Sequence, residues 1–248
     1  MVFEGLLAPI FDPLLKLPIL AVVLIMSFLI TLITTIIYKY TTNQSLMKDL
    51  KDEMKAFQKE MKELKSDPKK MMEVQKKAMQ TNMKYMSHSM RSMLFTFIPI
   101  ILIFGWMNAN LAYLPVMPDQ QFITTVQFDD SVTGQVELVL PNGISTTDNL
   151  TKDISKEVKW VLTGKEGNYN IEYKVGSKSY DKEVVITRGQ KYIAPVKVVK
   201  DGTVRQISID HQKIQVLNIV GWKLGWLGSY IIFSIIFSAI LRKLFKVY

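Results

Sequence analysis

Hydroxyl side chains recur at helical spacing inside otherwise apolar sequence. Between Ile19 and Tyr38, a stretch without charge, Ser27, Thr31, Thr34, Thr35 and Tyr38 fall on one face of a helix. A second apolar stretch brings Ser89, Ser92 and Thr96 at its start, and a third brings Ser234 and Ser238, one turn apart. Each hydroxyl donates one hydrogen bond and accepts two. Three such stripes at one depth would line a hydrated groove for a polar segment of another chain. The same residues also suit a second arrangement, in which each hydroxyl bonds its own helix and small side chains let the helices approach closely. No ionisable residue lies in the middle of these stretches, which speaks against a proton relay or a charge-coupled pump.

Other chemistry has little to build on. The chain of 248 residues has no cysteine, which excludes disulfides, zinc fingers, iron–sulfur sites and thiol catalysis. Its two histidines, His88 and His211, are far apart in sequence. The acids and bases are scattered in the pattern of a solvated surface. We expect no enzyme, no metal and no cofactor.

The hydroxyls belong to three segments long enough to cross a bilayer, which needs about 20 apolar residues. These are residues 19–38, 93–114 and 224–241. Pro18 precedes the first, where a missing N–H costs a helix nothing. Pro99 lies inside the second, which membrane helices tolerate. Residues 1–18 lack the basic start and cleavage site of a signal peptide, so the first span is expected to be retained. That stretch, interrupted by Pro9 and Pro13, is expected to lie along the outer surface. Residues 39–92 hold 13 Lys/Arg against 7 Asp/Glu, and the tail 242–248 carries Arg242, Lys243 and Lys246. The bias puts the N-terminus outside and the C-terminus in the cytoplasm of a multi-pass cell (plasma) membrane protein. Trp106, Tyr113, Trp222, Trp226 and Tyr230 then form an outer aromatic belt.

Residues 39–92 read as a Met/Lys-rich helical hairpin. Met47, Leu50, Met54, Phe57, Met61 and Leu64 alternate at spacings of three and four, a heptad seam. Ser66-Asp67-Pro68 ends this arm and starts another, with Asp67 as cap and Pro68 in the first helical position. In the second arm Met72, Met79, Met83, Met86, Met90 and Met93 share one stripe. The stripes either close an antiparallel coiled coil on itself or offer a soft, adaptable surface to apolar partners. The basic exterior, Lys65 included, suits ribosomal RNA or anionic lipid, or a solvated ion-paired face.

From 119 to 215 the pattern changes to short alternating β-branched runs: FITTVQF, QVELVL, VKWVLTG, YNIEYKV, KEVVIT, YIAPVKVV and VRQISI. Turn residues separate them. Seven strands in about a hundred residues predict an extracytoplasmic antiparallel β-sandwich. Asn149-Leu150-Thr151 is a possible glycosylation sequon. The fold class is therefore an α-helical membrane protein: three transmembrane helices, a cytoplasmic coiled-coil hairpin and an inserted all-β sandwich domain.

The run FQKEMKELKSDPKKMMEVQKKAMQTNMKYMSHSMRSMLFTFIPIILIF, residues 57–104, resembles the archaeal YidC-like proteins of the YidC/Oxa/Alb membrane insertase superfamily, and so does GWLGSYIIFSIIFSAILRK, residues 225–243. The likeness covers residues 1–114 and 216–248. It implies a three-span core with a cytoplasm-open hydrophilic groove, and a hairpin that receives hydrophobic segments from the ribosome. The implied partners are the ribosome, nascent membrane proteins, the lipid bilayer and other insertion-complex subunits, with no DNA. The implied groove residues are Ser27, Thr31, Thr34, Thr35, Ser92, Thr96, Ser234 and Ser238. The hairpin residues are Met47, Met54, Phe57, Met61, Met72, Met79, Met83, Met86 and Met90. Bacterial relatives often hold a positive charge in the groove, whereas Arg91 and Arg242 fall at the cytoplasmic rim here, so hydration and hydroxyls would have to suffice. The alternatives to an insertase are a membrane-anchored extracytoplasmic structural or binding protein, or a cation channel subunit.

Overall fold

The structure, a computed structural model, describes residues 4–64 and 67–247; Lys65 and Ser66 of the expected turn lie outside the described residues. The chain divides into two compact units. One holds Met1–Pro9, Leu17–Gly105 and Leu227–Tyr248, the other Ile10–Lys16 and Trp106–Trp226.

A short helix α1 (Glu4–Phe11) with Pro9 inside it opens the chain, and a 3-10 turn (Asp12–Lys16) follows. The first long helix, α2, runs Ile19–Thr41. Val22, Val23, Met26, Ser27, Ile30, Thr31 and Thr35 make its buried face, at the spacing of a 3.6-residue helix. Leu20, Ile25, Phe28 and Ile36 stay exposed, an apolar outer face of the kind a hydrocarbon solvent accepts. Helix α3 (Gln44–Glu63) starts where the Asn43 side chain accepts from the backbone N–H of Leu46, 3.2 Å away. Helix α4 (Pro68–Leu111) starts where Asp67 accepts from the N–H of Lys70, also at 3.2 Å. It runs unbroken for 44 residues, joining the polar second arm and the second apolar segment in one rod. Helix α5 (Trp226–Phe245) continues a turn beyond the expected end at residue 241. Among the described residues, three helices, α2, α4 and α5, are long and apolar enough to cross a membrane.

Ring contacts join these three. Phe28 meets Phe237 edge-on at 5.4 Å, and Phe104 meets Tyr230 at 4.8 Å. The Tyr38 and Tyr85 hydroxyls lie 3.4 Å apart. Each pair bridges a different pair of helices.

In α3, Met47 and Leu50 are buried and Met54, Phe57, Met61 and Leu64 half-buried, so one seam of this arm is covered. The covered seam of α4 is a different set from its methionines. Met71, Val74, Ala78, Thr81, Tyr85 and Ser92 are its less exposed positions. Met72, Met79, Met83, Met86, Met90 and Met93 are 56% to 69% exposed. Of the two roles open to the second-arm methionines, closing the hairpin is not theirs.

In the other unit, two antiparallel sheets share one core. The five-stranded sheet has the order β3 (Ile144–Thr146), β5 (Glu157–Gly164), β1 (Gln121–Phe128), β9 (Val204–Ile209), β8 (Val196–Val198). The four-stranded sheet has the order β4 (Thr151–Asp153), β2 (Gln135–Val139), β6 (Gly167–Val175), β7 (Lys178–Ile186). The alternating burial of β5, where Val158, Trp160 and Leu162 point inward, meets Leu138, Ile171 and Tyr173 from the facing sheet. Tyr173 and Thr124 bond through their hydroxyls within this core. All seven expected runs contain a strand, although YIAPVKVV contributes three residues only. The short edge strands β3 and β4 and a separate hairpin, β10 (Leu217–Ile219) with β11 (Trp222–Leu224), were not foreseen.

Side chains of this unit satisfy carbonyls at the end of α4, which have no partner within the helix. Gln190 donates to the carbonyl of Asn110 and, just beyond the helix, to that of Tyr113, both at 2.9 Å, and Tyr192 donates to that of Asn108 at 2.5 Å. The indole N–H of Trp106 donates to Asp12 at 3.1 Å.

Candidate functional site

Within the helical unit, α2, α4 and α5 line a partly open cavity of about 430 Å³. Its walls include Thr34, Thr35 and Tyr38 from α2, Tyr85, Ser89, Ser92 and Thr96 from α4, and Ser238 and Arg242 from α5. Met86, Met90, Met93, Ile100, Tyr230 and Val247 supply an apolar side. A volume of this order accepts a few side chains of a guest, not a folded element.

The helices position the hydroxyls through their own backbone. Thr34 and Thr35 both donate to the carbonyl of Thr31, at 3.1 and 2.6 Å. Ser89 donates to Tyr85 and Thr96 to Met93, each at 2.9 Å. Each hydroxyl thus uses its proton locally and keeps lone pairs for water or a donor on a guest. Ser92 differs. It is 1% exposed, and its Oγ has no hydrogen-bond partner among the described residues. A buried hydroxyl left unpaired is costly, and such a group in a cavity wall is suited to a transient partner.

Five of the eight hydroxyls predicted for the groove, Thr34, Thr35, Ser92, Thr96 and Ser238, line the cavity. The other three do not. Ser27 and Thr31 are buried in the packed face of α2, donating at 2.6 Å to Val23 and Ser27. Ser234 donates to Ile231 at 2.9 Å, off the lining. Helical spacing put all eight on suitable faces; depth along the bundle separates packing from lining.

Arg242, exposed near the end of α5, belongs to the cavity lining and sits 5.2 Å from the centre of the Tyr38 ring. Among the described residues of the lining there is no carboxylate, and Arg242 brings a positive charge. The tyrosine pair Tyr38–Tyr85 and Arg242 form its polar end. Tyr85 was missed because an aromatic at a heptad position reads as core.

Of the predicted hairpin residues, Met47 is buried and Met54, Phe57 and Met61 half-buried in α3, while Met72, Met79, Met83, Met86 and Met90 are exposed along α4. Met86, Met90 and Met93 lie both on this stripe and in the cavity wall. Asn149 lies outside the helical unit. It is exposed, and its side chain accepts from the N–H of Thr151 at 3.3 Å.

A family model described as "Integral membrane protein EMC3/TMCO1-like" matches residues 6–156, which includes α2, α3, α4 and the first part of the β unit. The chain belongs to this EMC3/TMCO1-like family. The family falls within the Oxa1/YidC/Alb3 insertase-related superfamily, so the resemblance seen in the sequence holds at that level. Neither the curated proteins nor the solved structures gave a match. This EMC3/TMCO1-like chain is therefore a multi-pass integral membrane protein of a family related to membrane insertion. The cavity and the exposed methionine stripe both lie on helices inside the matched segment, except for the wall that α5 contributes.

Proposed function

We propose that this chain is an insertase and membrane chaperone, which takes hydrophobic segments from the ribosome and passes them to the bilayer through a groove open to the cytoplasm. The observation that carries this reading is the continuity of the methionines. From Met72 to Met93 they follow one exposed stripe of α4, about 32 Å at 1.5 Å per residue, and the last three form the apolar wall of the cavity. Unbranched, polarizable side chains suit clients of varied sequence. α3 and the covered seam of α4 fit an antiparallel coiled coil that holds the stripe outward. The two-sheet unit is read as an extracytoplasmic β-sandwich, the N-terminus as outside, and the chain as an archaeal YidC-like member of the superfamily in the cell membrane.

The physics needs no bond made or broken. A charge carried through intact hydrocarbon costs about 3 kcal/mol or more. A hydrated cavity shortens that path for the short polar flank of a client, and Arg242 favours an acidic one. The apolar segment then leaves sideways into lipid. Other insertion-complex subunits are natural further partners.

The test is site-specific photo-crosslinking to a ribosome-bound single-span client, with probes at Met83, Thr34 and Ser238 and a comparison probe at the exposed Ile235. The reading expects Met83 to label early and the two cavity positions later, with labels fading on release. Uniform labelling, or none, would favour a membrane anchor for the β unit instead.

A further inference from the structure

The hairpin formed by β10 and β11 belongs to neither large sheet. Its register pairs Leu217 with Leu224, Asn218 with Lys223 and Ile219 with Trp222. Side chains alternate along a strand and paired residues share a face. Leu217, Ile219, Trp222 and Leu224 therefore occupy one face, and Asn218 and Lys223 the other. The outer half of the apolar face is uncovered, with Trp222 75% exposed and Ile219 44%, while Leu217 and Leu224 at its base are half-buried. At the tip Val220 is 99% exposed.

The turn is made of Val220 and Gly221, both at positive φ, 50° and 86°. Such a two-residue turn favours Asn-Gly, and a β-branched residue there is strained. An isoleucine, a valine and a tryptophan thus stand at the end of an isolated two-stranded ribbon, which is marginal in water by itself. Gly225 alone separates the ribbon from α5, whose first exposed residues, Leu227 and Ile231, are also apolar. Three residues per arm extend about 10 Å, so the tip stays within reach of the bilayer surface where α5 enters.

We propose that this hairpin is a lipid-binding finger, which lays Ile219, Trp222 and its Val220 tip into the interfacial layer of the leaflet where α5 begins. Trp222 occupies the headgroup boundary that indole rings prefer, and Lys223 on the opposite face reaches the phosphates. Continuity with a membrane span selects lipid as the occupant over a protein partner.

The absence of cysteine from the chain makes the test direct. Spin labels are placed on V220C, N218C, S177C in the exposed β6–β7 turn, and I235C on the outer face of α5, each in the full-length protein in phosphatidylcholine liposomes. Accessibility to oxygen, which concentrates in lipid, is compared with accessibility to a water-soluble nickel chelate. The proposal expects the label at 220 to favour oxygen several-fold over that at 177 and to approach 235, with 218 nearer the aqueous value. If 220 matches 177, the finger is in water and the proposal is overturned. If 220 is shielded from both reagents, a protein covers the tip and the proposal is equally overturned. A failure at 235 as well would reject α5 as a span, a separate result.

Discussion

Ser92 is the residue whose chemistry is least explained by folding. An unpaired buried hydroxyl costs about 1–3 kcal/mol, so replacing it with alanine should leave stability unchanged or raise it. Ser92→Ala should therefore keep or increase the thermal midpoint in detergent while weakening client crosslinks at Thr34. A fall in both would mark Ser92 as packing. For Arg242 the expectation concerns charge. Arg242→Gln should slow insertion of a client with an acidic flank and spare one with a neutral flank, and Arg242→Lys should restore part of the difference. Equal slowing of both clients would assign the guanidinium to the Tyr38 stack alone. Only part of this residue-level picture was legible beforehand. Hydroxyl spacing is visible in a sequence, but Ser27 and Thr35 share a stripe and still end in different surroundings. The sequence shows Arg242 beside the third apolar stretch, but the Tyr38 ring that it faces belongs to another helix, and spacing within one helix does not encode such a contact.

Among the elements, α3 and α4 show how a periodic signal can be right about geometry and silent about direction. Both arms carry apolar residues at heptad spacing. In α3 these are covered, whereas in α4 the covered seam is made of smaller residues such as Val74, Ala78 and Thr81, and the methionines face out. Two apolar stripes on one helix compete for one partner, and the sequence of that helix alone does not rank them. The difference gives opposite predictions. Met47→Ala and Leu50→Ala should each destabilise the helical unit by about 2–4 kcal/mol, as removals from a covered seam do. Replacing Met79 and Met83 together with serine should leave the thermal midpoint within about 1 kcal/mol equivalent, since exposed positions contribute little. The same pair should reduce client crosslinking severalfold. Unchanged crosslinking would remove the stripe from the path of the client. The strands were easier to read because alternation also specifies which side is buried: Val158, Trp160 and Leu162 could only face one way.

For the whole molecule, acidity should act first on the β unit. Burial holds the His211 imidazole below its ordinary 6.5, and Lys182 adds to this, while the Leu114 carbonyl and Asp210 oppose it. The unfolded ring takes up a proton near 6.5 and the folded ring resists, so this stability is complete above that value and declines as pH falls below it. Asp201 is held below its ordinary 3.8 by the Val204 N–H first, then by the Tyr180 hydroxyl and Lys178. Its contribution is present above 3.8 and is lost as pH falls through the acid range beneath. Unfolding midpoints of the full chain between about pH 8 and pH 2 should show one fall below about pH 6.5 and a second that begins below about pH 4. His211→Gln should abolish the upper step and Asp201→Asn should reduce the lower, to which Asp148, also held below its ordinary 3.8 by the Val161 N–H and Lys152, contributes as well. A flat profile would show that neither group is linked to the rate-determining loss of structure.

The unbroken course of α4 has a mechanical consequence. From Pro99, whose ring removes one backbone bond and makes the natural pivot, to Pro68 at the far end, the helix is a lever arm of about 46 Å. A swing of about 10° at that pivot carries the far end through roughly 8 Å, while Met93 and Thr96, one or two turns from the fulcrum, move by less than about 2 Å. A heavy load docked at the distal end would thus be geared down, by a factor of several, into a small and forceful change in the width of the cavity.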